Sequence, residues 1–409
     1  MSAQLDANSL YLMHLMSCAL RGQAPQPLPA DAAWDAVYNL ALGNSVTTTC
    51  AFAVAKAPGI DAAEAKRWRD EVYKNAVRFA VFADEREAIF AQMDAAGLAH
   101  MPVKGVVTAE VYPRPEMRWM CDNDFLFGRA LPDGATRVAD HDDSLAMRRI
   151  MEARGYDVEE FEESNADAYH KEPILNFEPH RLLAVHETEW WSYYNDQWPR
   201  HHRVEGAAGN AYEMAKEDSY LYHIAHMSKH FTHAGHGVRG LADEWAFLNS
   251  GTEPMDRAYL QAELAKLNMA DFEADLQRAA ESAISDDACG RALAGDVDAL
   301  APEVANVLVY MLGSGTYGNS ENFALHAVQA DMAEHGRVGG RIRYFARRLF
   351  PPTETLKHTY PILQRAPWLR PAVDLYRFTI RPFQQRAKLR TELSAVMGKA
   401  GENTPGTGN

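Results

Sequence analysis

The sequence has few cysteines and no surplus of basic residues, and each scarcity excludes a class of protein. Its four cysteines, Cys18, Cys50, Cys121 and Cys289, lie far apart and form no CxxC pair. This spacing excludes a small secreted domain held together by disulfides and favours a reducing cytoplasm. The formal net charge is -15 at pH 7, which argues against general polyanion binding because a nucleic-acid binder needs a basic face.

Long hydrophobic runs are also missing. The N-terminal stretch LYLMHLMSCAL follows Asp6, where a signal peptide would carry positive charge, and His14 interrupts it. We therefore expect this stretch to form a buried helix. No window of the sequence reaches the roughly 18 to 20 apolar residues that are needed to cross a bilayer, so we expect no membrane partner.

The chain has 409 residues, of which 47% are hydrophobic, and this is enough for about two or three domains. Helical periodicity begins the chain, with expected helix starts at Asn8, Asp31 and Asp61. Short apolar runs separated by turns follow, and then helices return. We therefore predict an α+β fold in which a small mixed β-sheet core is flanked by N-terminal and C-terminal helical regions. The predicted regions are an N-terminal helical region at 1–97, the sheet core at 98–205, a helical domain at 206–312, a basic helical region at 313–400 and a disordered tail at 401–409.

The longest helical stretch carries aromatic and aliphatic residues on one side. Val72, Ala76, Phe79 and Phe82 recur near helical spacing, and we expect the aromatic positions among them to lie in the core. Gly97 follows this stretch and is a typical helix stop.

The predicted core region contains several candidate strands. Residues 100–103 and 121–127 are short apolar runs that we expect to form strands, and PILNFEPHRLLAVHE predicts one or two more. Between them, SLAMRRIMEARGY predicts a helix that ends at Gly155.

Two aspartates, Asp122 and Asp124, fall in the second candidate strand. Alternate residues leave the same side of a strand, roughly 6.5 to 7 Å apart along it, so the two carboxylates could hold divalent cations between them. Aspartate is disfavoured in strands and costly to bury unpaired, so its position directly before an apolar run requires a cause. A bound metal is one cause. An Asp-Asn-Asp turn that leads into a strand is the other interpretation, and the spacing alone leaves both open.

A basic motif precedes this pair. Lys104 and Gly105 follow the first candidate strand and open a predicted helix. A glycine there would let a phosphate approach the free amides of the helix N-terminus, and the lysine would add positive charge. Arg118, four residues before Asp122, could reach the same phosphates. An ordinary turn also produces a Lys-Gly pair, so that interpretation stays open.

Glu178 is a candidate third carboxylate because it lies inside the apolar run ILNFEPHRLL. Three acidic groups that converge from different strands could bind two magnesium ions, which would activate a hydroxyl and neutralise leaving phosphates. The alternative is a glutamate on an edge strand facing solvent. Pro179 is consistent with this alternative, because proline lacks a donor for the strand ladder.

Several blocks occur in a fixed order along the chain: MPVKGVVTAEVYPRPEMRWMCDNDFLF, YHKEPILNFEPHRLL, YYNDQW, YLYHIAHMSKHFTHAGHGVRGLADEWAFL and LFPPTETLKHTYPILQRAPWL. Together they resemble the bacterial uncharacterised nucleotidyltransferase family, a branch of the DNA polymerase β-like nucleotidyltransferase superfamily. The resemblance covers most of residues 30–385. It implies a small mixed sheet that carries metal carboxylates, with helical regions before and after it.

The resemblance also implies roles for individual residues at the matching positions. The implied metal ligands and catalytic residues are Asp122, Asp124 and Glu178, and the implied nucleotide-phosphate motif comprises Lys104, Gly105 and Arg118. The candidate phosphate or acceptor contacts are His180, Arg181, Lys229, His230 and Arg239. For Arg239 a surface ion pair with Asp243, four residues later on a helix, is an equally good interpretation. Asn123 and Pro179 stand where relatives usually carry apolar residues, which puts the local strand geometry in question.

The implied function is a nucleotidyltransferase that depends on Mg²⁺ or Mn²⁺. It would move a nucleoside monophosphate from a nucleoside triphosphate such as ATP to an acceptor hydroxyl and release pyrophosphate. The acidic charge ranks a small molecule, peptide or protein acceptor above RNA. The alternative on the same fold is a non-catalytic nucleotide-binding regulator or interaction partner.

A third hypothesis is a zinc hydrolase. His223, His226 and His230 share one face of a predicted helix, and His233 and His236 follow in the next turn. Imidazoles at this spacing can share a zinc ion. The sequence has no HExxH pattern to support this hypothesis, so helix packing or substrate contacts remain the preferred explanation.

Overall fold

The structure is a computed structural model, and it divides the chain into two compact units. The first unit comprises residues 1–228 and 238–312, and the second comprises residues 229–237 and 313–409. The predicted tail at 401–409 and most of the predicted basic region at 313–400 lie outside the described residues. The structure describes residues 5–131, 135–159, 161–185, 188, 190–194, 198, 201–207, 209–251, 254–316, 318, 356, 360 and 362–379.

Four helices precede the sheet. Asp61 caps the fourth helix as predicted, because its carboxylate accepts from the amides of Ala63 and Glu64. The first helix is capped by Asp6 rather than by Asn8. Instead, Asn8 uses its side chain to accept from the amide of Ala33, directly before the second helix. These helices are α1 (Ala7–Leu20), α2 (Trp34–Gly43), α3 (Thr47–Val54) and α4 (Ala62–Ala95).

The long helix α4 buries a narrow stripe at seven-residue intervals: Trp68, Asn75, Phe82 and Ile89. Residues seven apart are two turns apart, so such a repeat places these side chains near one side of the helix. The predicted aromatic core positions on α4 are confirmed, because Phe82 is buried and Phe79 is partly buried against the same core. Asn75 takes part in the stripe because its amide donates to two backbone carbonyls in the segment that leads into the central strand.

The sheet is mixed, as predicted, and its strand order is β1-β2-β6-β5-β4, with β3 paired to a further part of β2. Strands β2 and β6 run parallel, whereas the other pairings in this sheet are antiparallel. A separate hairpin, which the sequence did not predict, is formed by β7 and β8. The strands are β1 (Leu98–Pro102), β2 (Asn123–Ala130), β3 (Thr136–Val138), β4 (Asp157–Glu159), β5 (Ala168–Lys171), β6 (Leu175–His180), β7 (His201–Arg203) and β8 (Tyr212–Met214).

One face of the sheet forms the hydrophobic core of this region. Phe125 and Phe127 of β2 pack there with Phe177 of β6 and with Phe82 of α4. Each such side chain stabilises the fold by about 1.5 to 3 kcal/mol when it is fully buried. Because successive side chains of a strand alternate in direction, Asp124 and Glu178 leave the opposite face. The core therefore sets which face of the sheet carries the carboxylates.

The remaining helices connect or follow the strands. Helix α8 spans both units, and α14 and α15 belong to the second unit, where Leu356, Leu363 and Val373 form a small buried cluster. Within the described residues, none of the helices combines the length and the apolar character that a bilayer span requires. These helices are α5 (Gly105–Glu110), α6 (His141–Ala153), α7 (Trp191–Tyr194), α8 (Lys216–His233), α9 (Arg239–Asn249), α10 (Arg257–Leu267), α11 (Ala270–Ala280), α12 (Ala288–Leu293), α13 (Pro302–Ser314), α14 (Ile362–Arg365) and α15 (Arg370–Thr379).

Candidate active site

Two of the three predicted carboxylates meet across the parallel pair of strands. Asp124 of β2 lies in register with Glu178 of β6. Between them lies the ammonium group of Lys104, which donates to Asp124 Oδ1 at 2.7 Å and lies 4.0 Å from Glu178 Oε2. Asp124 is buried and Glu178 is 30% exposed at its side chain. The structure therefore brings two carboxylates from separate strands around one positive charge.

The remaining predicted carboxylate is Asp122, which lies directly before β2 and is half-buried. It forms no hydrogen bond or ion pair with any residue that the structure describes. Burial and the negative charge of Asp124 raise its pKa, while Lys104 and Arg239 counteract this effect. Asp122 is thus close enough to the pair to interact with it electrostatically, and its oxygens remain available to a ligand.

The neighbouring carboxylates place negative charges close together, and this shifts their pKa values. Burial and the neighbouring charge of Asp124 raise the pKa of Glu178 to about 7. Burial also disfavours the charged form of Asp124, but Lys104 and a hydrogen bond from His180 hold the pKa of Asp124 below its ordinary value. For Lys104, the attraction of Asp124 outweighs burial and raises the pKa of the ammonium. Carboxylate oxygens that repel one another in this way form a donor set that suits Mg²⁺ or Mn²⁺.

His180 supports Asp124 as a hydrogen-bond donor. Its Nε2 lies 2.8 Å from Asp124 Oδ1, and its Nδ1 lies 3.2 Å from Nδ2 of Asn165. The Asn165 amide also donates to the carbonyl of Leu182, which fixes its orientation. Because Asn165 donates to Nδ1, the ring proton resides on Nε2 and is donated to Asp124. Burial and the nearby charge of Lys104 lower the pKa of His180 to about 4, so the ring is neutral.

The Lys-Gly motif forms a tight turn between β1 and α5. Lys104 has φ 52° and ψ -124°, in a region that favours glycine. Its carbonyl accepts from the amide and the hydroxyl of Thr108. A Cβ atom at Gly105 would lie 3.0 Å from Nη1 of Arg118. Glycine at position 105 therefore leaves room for the Arg118 guanidinium, which approaches the backbone closely.

Arg118 is bound to a residue whose role the sequence did not reveal. Its Nε and Nη2 donate to the two oxygens of Asp243 at 2.8 and 3.0 Å. The hydroxyl of Tyr112 donates to the same carboxylate at 2.6 Å. Although burial opposes it, the charge of Arg118 holds the pKa of Asp243 below its ordinary value. Asp243 is only 3% exposed, so its interpretation as part of a surface ion pair with Arg239 is wrong. The apolar residues around it in GLADEWAFL were the available signal.

Arg239 begins α9, one turn before Asp243. Its Nε is buried without a hydrogen-bond partner in the described part of the chain. Its charge lowers the pKa of Asp122 against the effect of burial and of Asp124. Arg239 is therefore a cation next to the carboxylates whose guanidinium still has unused donors.

The remaining predicted contacts are Arg181, Lys229 and His230. Arg181 pairs with the buried Asp167 at 2.7 Å and donates to the carbonyl of Ser164. Lys229 and His230 lie in the last turns of α8, within the second unit.

The unusual residues Asn123 and Pro179 leave the strand ladder intact. Residues Asn123 to Leu126 of β2 pair in register with Phe177 to His180 of β6. The side chain of Asn123 is buried and accepts from Arg86 at 2.8 Å. The pairing of β2 with β6 is therefore continuous at Asn123 and Pro179, and the local strand geometry is regular there.

Two clusters of His, Cys, Asp and Glu come within metal-ligand spacing among the residues that the structure describes. One is Asp124, Glu178 and His180, and the other is His14, Cys18 and Asp287. Neither includes a histidine of α8, so the zinc hypothesis gains no support from them. In the second cluster, the Gln26 amide donates to His14 Nε2 at 2.9 Å, and His14 Nδ1 lies 2.8 Å from Asp287. Both ring nitrogens are thus satisfied within the protein.

Comparison with known proteins gives one match. The family model described as uncharacterised nucleotidyltransferase matches residues 30–282, which is more than half of the chain. The matched range includes both strands of the carboxylate pair and the helix that carries Asp243. No curated protein and no solved structure matches the chain.

Proposed function

The chain belongs to the uncharacterised nucleotidyltransferase family, and on this premise we propose that it transfers a nucleoside monophosphate from a nucleoside triphosphate to an acceptor hydroxyl. The acceptor oxygen forms a bond to the α-phosphorus, the bond from the α-phosphorus to the bridging oxygen of the β-phosphate breaks, and pyrophosphate leaves. The observation that carries this proposal is the in-register pair of Asp124 and Glu178 around one cation, with Asp122 beside them.

Asp122, Asp124 and Glu178 would hold Mg²⁺ or Mn²⁺. A bound divalent ion lowers the pKa of a hydroxyl and neutralises phosphate charge. In this proposal Glu178 helps to hold the ion and to activate the acceptor hydroxyl, because it lies in register with Asp124 across the strand pair. His180 keeps Asp124 oriented by donating from Nε2.

Positive charge around the carboxylates would bind the triphosphate. In this proposal Arg239 contacts the phosphates, because its guanidinium has unused donors beside Asp122. Lys104 contributes a second cation, and Gly105 lets the backbone approach the phosphates. Arg118 holds α9 through Asp243 and so positions Arg239, which begins the same helix.

We propose a chemical class for the acceptor and name residues that could contact it. Lys229 and His230 stay candidate acceptor contacts, and Arg181 contributes indirectly by holding Asp167 near the end of β6. A small molecule, peptide or protein acceptor is favoured over RNA, because the net charge of -15 repels a polyanion.

The direct test uses triphosphates labelled at the α-phosphate, each with Mg²⁺ or Mn²⁺, and measures pyrophosphate release and label transfer. The matched variants are Asp124→Asn and Glu178→Gln, which keep side-chain volume, and thermal unfolding verifies that each is folded. We expect pyrophosphate release from the wild type and a loss of at least about a hundredfold in each variant, the scale on which positioned acid–base groups act. Equal release by wild type and variants would refute the proposal.

Calorimetric titration with a triphosphate distinguishes the transferase from the non-catalytic alternative. A regulator would bind the triphosphate tightly without producing pyrophosphate. The continuous pairing of β2 and β6 removes the distorted strand that motivated this alternative. Absence of triphosphate binding would contradict both proposals.

A further inference from the structure

We propose that Lys104 is a built-in cation that occupies the metal position at Asp124 until a divalent ion displaces it, so that metal and nucleotide bind cooperatively. The identity of the displacing ligand rests on the proposed function. The inference adds a role for Lys104 that a simple phosphate contact does not have: the protein resists bare metal and accepts metal together with triphosphate.

The contacts of Lys104 define the first step. Its Nζ lies 2.7 Å from Asp124 Oδ1, 3.1 Å from His180 Nε2 and 4.0 Å from Glu178 Oε2. Asp124, Glu178 and His180 are the residues whose ligand atoms lie within 4.8 Å of one another. The ammonium therefore lies against the two carboxylates of this set, whose oxygens a divalent ion would use. Two cations cannot share that position, because their repulsion in a buried site is strong.

His180 cannot take over the neutralising role. Its Nδ1 accepts from Asn165, so its Nε2 carries a proton and acts as a donor to Asp124 rather than as a metal ligand. Lys104 is thus the positive charge in direct contact with Asp124 among the described residues. Removal of the Lys104 charge would leave Asp124 with a hydrogen bond but without an ion pair.

The backbone of Lys104 is held in place on both sides of its turn. Its φ of 52° lies in the region that favours glycine, and strained backbone of this kind persists only where the surroundings enforce it. The amide of Val103 donates to the carbonyl of Asp124, and the carbonyl of Lys104 accepts from the Thr108 amide. Both sides of the turn are therefore fixed, while the flexible four-carbon stem of lysine leaves the ammonium free to swing to a new anion.

A triphosphate supplies that anion. When a divalent ion binds alone, the Lys104 ammonium loses its carboxylate partner and gains none. When the ion binds with a triphosphate, the ammonium can pair with the phosphates. Each ligand therefore raises the affinity of the other, and by linkage the two effects are equal.

The test measures Mn²⁺ binding without nucleotide, from the free-ion signal in electron paramagnetic resonance. Lys104→Met removes the charge and keeps the stem, and we expect it to raise Mn²⁺ affinity by about tenfold or more, the lower end of the effect that a close opposite charge has on proton binding by a carboxylate. Lys104→Arg keeps the charge and should stay near wild type. Arg239→Met is the matched control, because it removes a charge that lies near Asp122 but makes no contact with Asp124. We expect a smaller increase from it.

A second measurement uses the unaltered protein. Lysines are methylated reductively with and without saturating Mn²⁺, and the extent at Lys104 is read by peptide mass spectrometry against the other lysines. We expect Mn²⁺ alone to increase methylation of Lys104 selectively. Equal Mn²⁺ affinity in wild type and Lys104→Met, or unchanged Lys104 methylation at saturating Mn²⁺, would overturn the inference.

The two proposals can fail separately. Tighter Mn²⁺ binding by Lys104→Met without any pyrophosphate release from the wild type would support the displaced lysine and refute the transferase. Pyrophosphate release by the wild type with no change in Mn²⁺ affinity in Lys104→Met would support the transferase and refute the displaced lysine.

Discussion

The buried pair of Arg118 and Asp243 joins the segment before β2 to helix α9, and we predict that it is the main polar link between them. Asp243 accepts two hydrogen bonds from Arg118 and one from Tyr112. Arg118 is 7% exposed and Asp243 is 3% exposed. A charge at this depth is costly without its partner.

The size of the effect follows from what each substitution leaves behind. Asp243→Leu leaves the Arg118 guanidinium buried without a countercharge, and Arg118→Met leaves the carboxylate in the same state. Each single substitution should lower the free energy of unfolding by about 3 to 5 kcal/mol. The double variant removes both charges, so it should lose far less than the sum, with a coupling energy of about 3 kcal/mol.

The assay is urea unfolding of the four proteins, followed by tryptophan fluorescence, to which Trp119 and Trp245, neighbours of the pair in sequence, contribute. Because the folded-state pKa of Asp243 is depressed, the contribution of the pair is fully present above the ordinary aspartate pKa of about 4 and is lost as the pH falls below it. The coupling should therefore be constant between pH 6 and 8. Strictly additive single-variant losses at pH 7 would refute the reasoning.

Three further predictions concern the surroundings of the carboxylates. Gly105→Ala places a Cβ atom 3.0 Å from Nη1 of Arg118, whose guanidinium is held by Asp243, so thermal unfolding should show a loss of about 1 to 3 kcal/mol. In Gly43→Ala the added Cβ meets no described atom within 4 Å outside its own helix and chain neighbours, so this variant should not be destabilised. Asn75→Ala leaves two backbone carbonyls without their donor, and urea unfolding should show a loss of about 1 to 3 kcal/mol. Glu178→Gln removes a carboxylate that lies against like charges, so it should keep or raise the melting temperature while it lowers pyrophosphate release by at least about a hundredfold. A lower melting temperature for Glu178→Gln than for the wild type would contradict the interpretation that like charges destabilise the Glu178 carboxylate.

Local signals in the sequence were sufficient for several elements. Asp61 caps α4 because the capping residue and the amides it satisfies are neighbours along the chain. Residues 121–127 were predicted as a strand, and the structure places β2 at Asn123–Ala130. The mixed sheet with flanking helices was confirmed for the same reason: apolar periodicity is a local property.

Contacts between residues that are far apart in the sequence could not be predicted from local patterns. Arg118 and Asp243 are 125 positions apart, so no periodicity connects them. The contact of Arg118 with phosphate stays a prediction. Asn8 was expected to cap α1, but it serves the start of α2 because a tertiary contact competes for its side chain. The role of His180 depends on Asn165, which carries no motif.

The parallel pairing of β2 with β6 affects how this fold tolerates change in chain length. Parallel neighbours need a long crossover, and here that crossover contains β3, α6, β4 and β5. Insertions in its loops would leave the alignment of Asp124 with Glu178 untouched. A single residue inserted within β6 before Glu178 would turn its carboxylate toward the hydrophobic core, because strand side chains alternate. Evolutionary drift in length is thus harmless across most of the crossover and disabling within a few residues of Glu178.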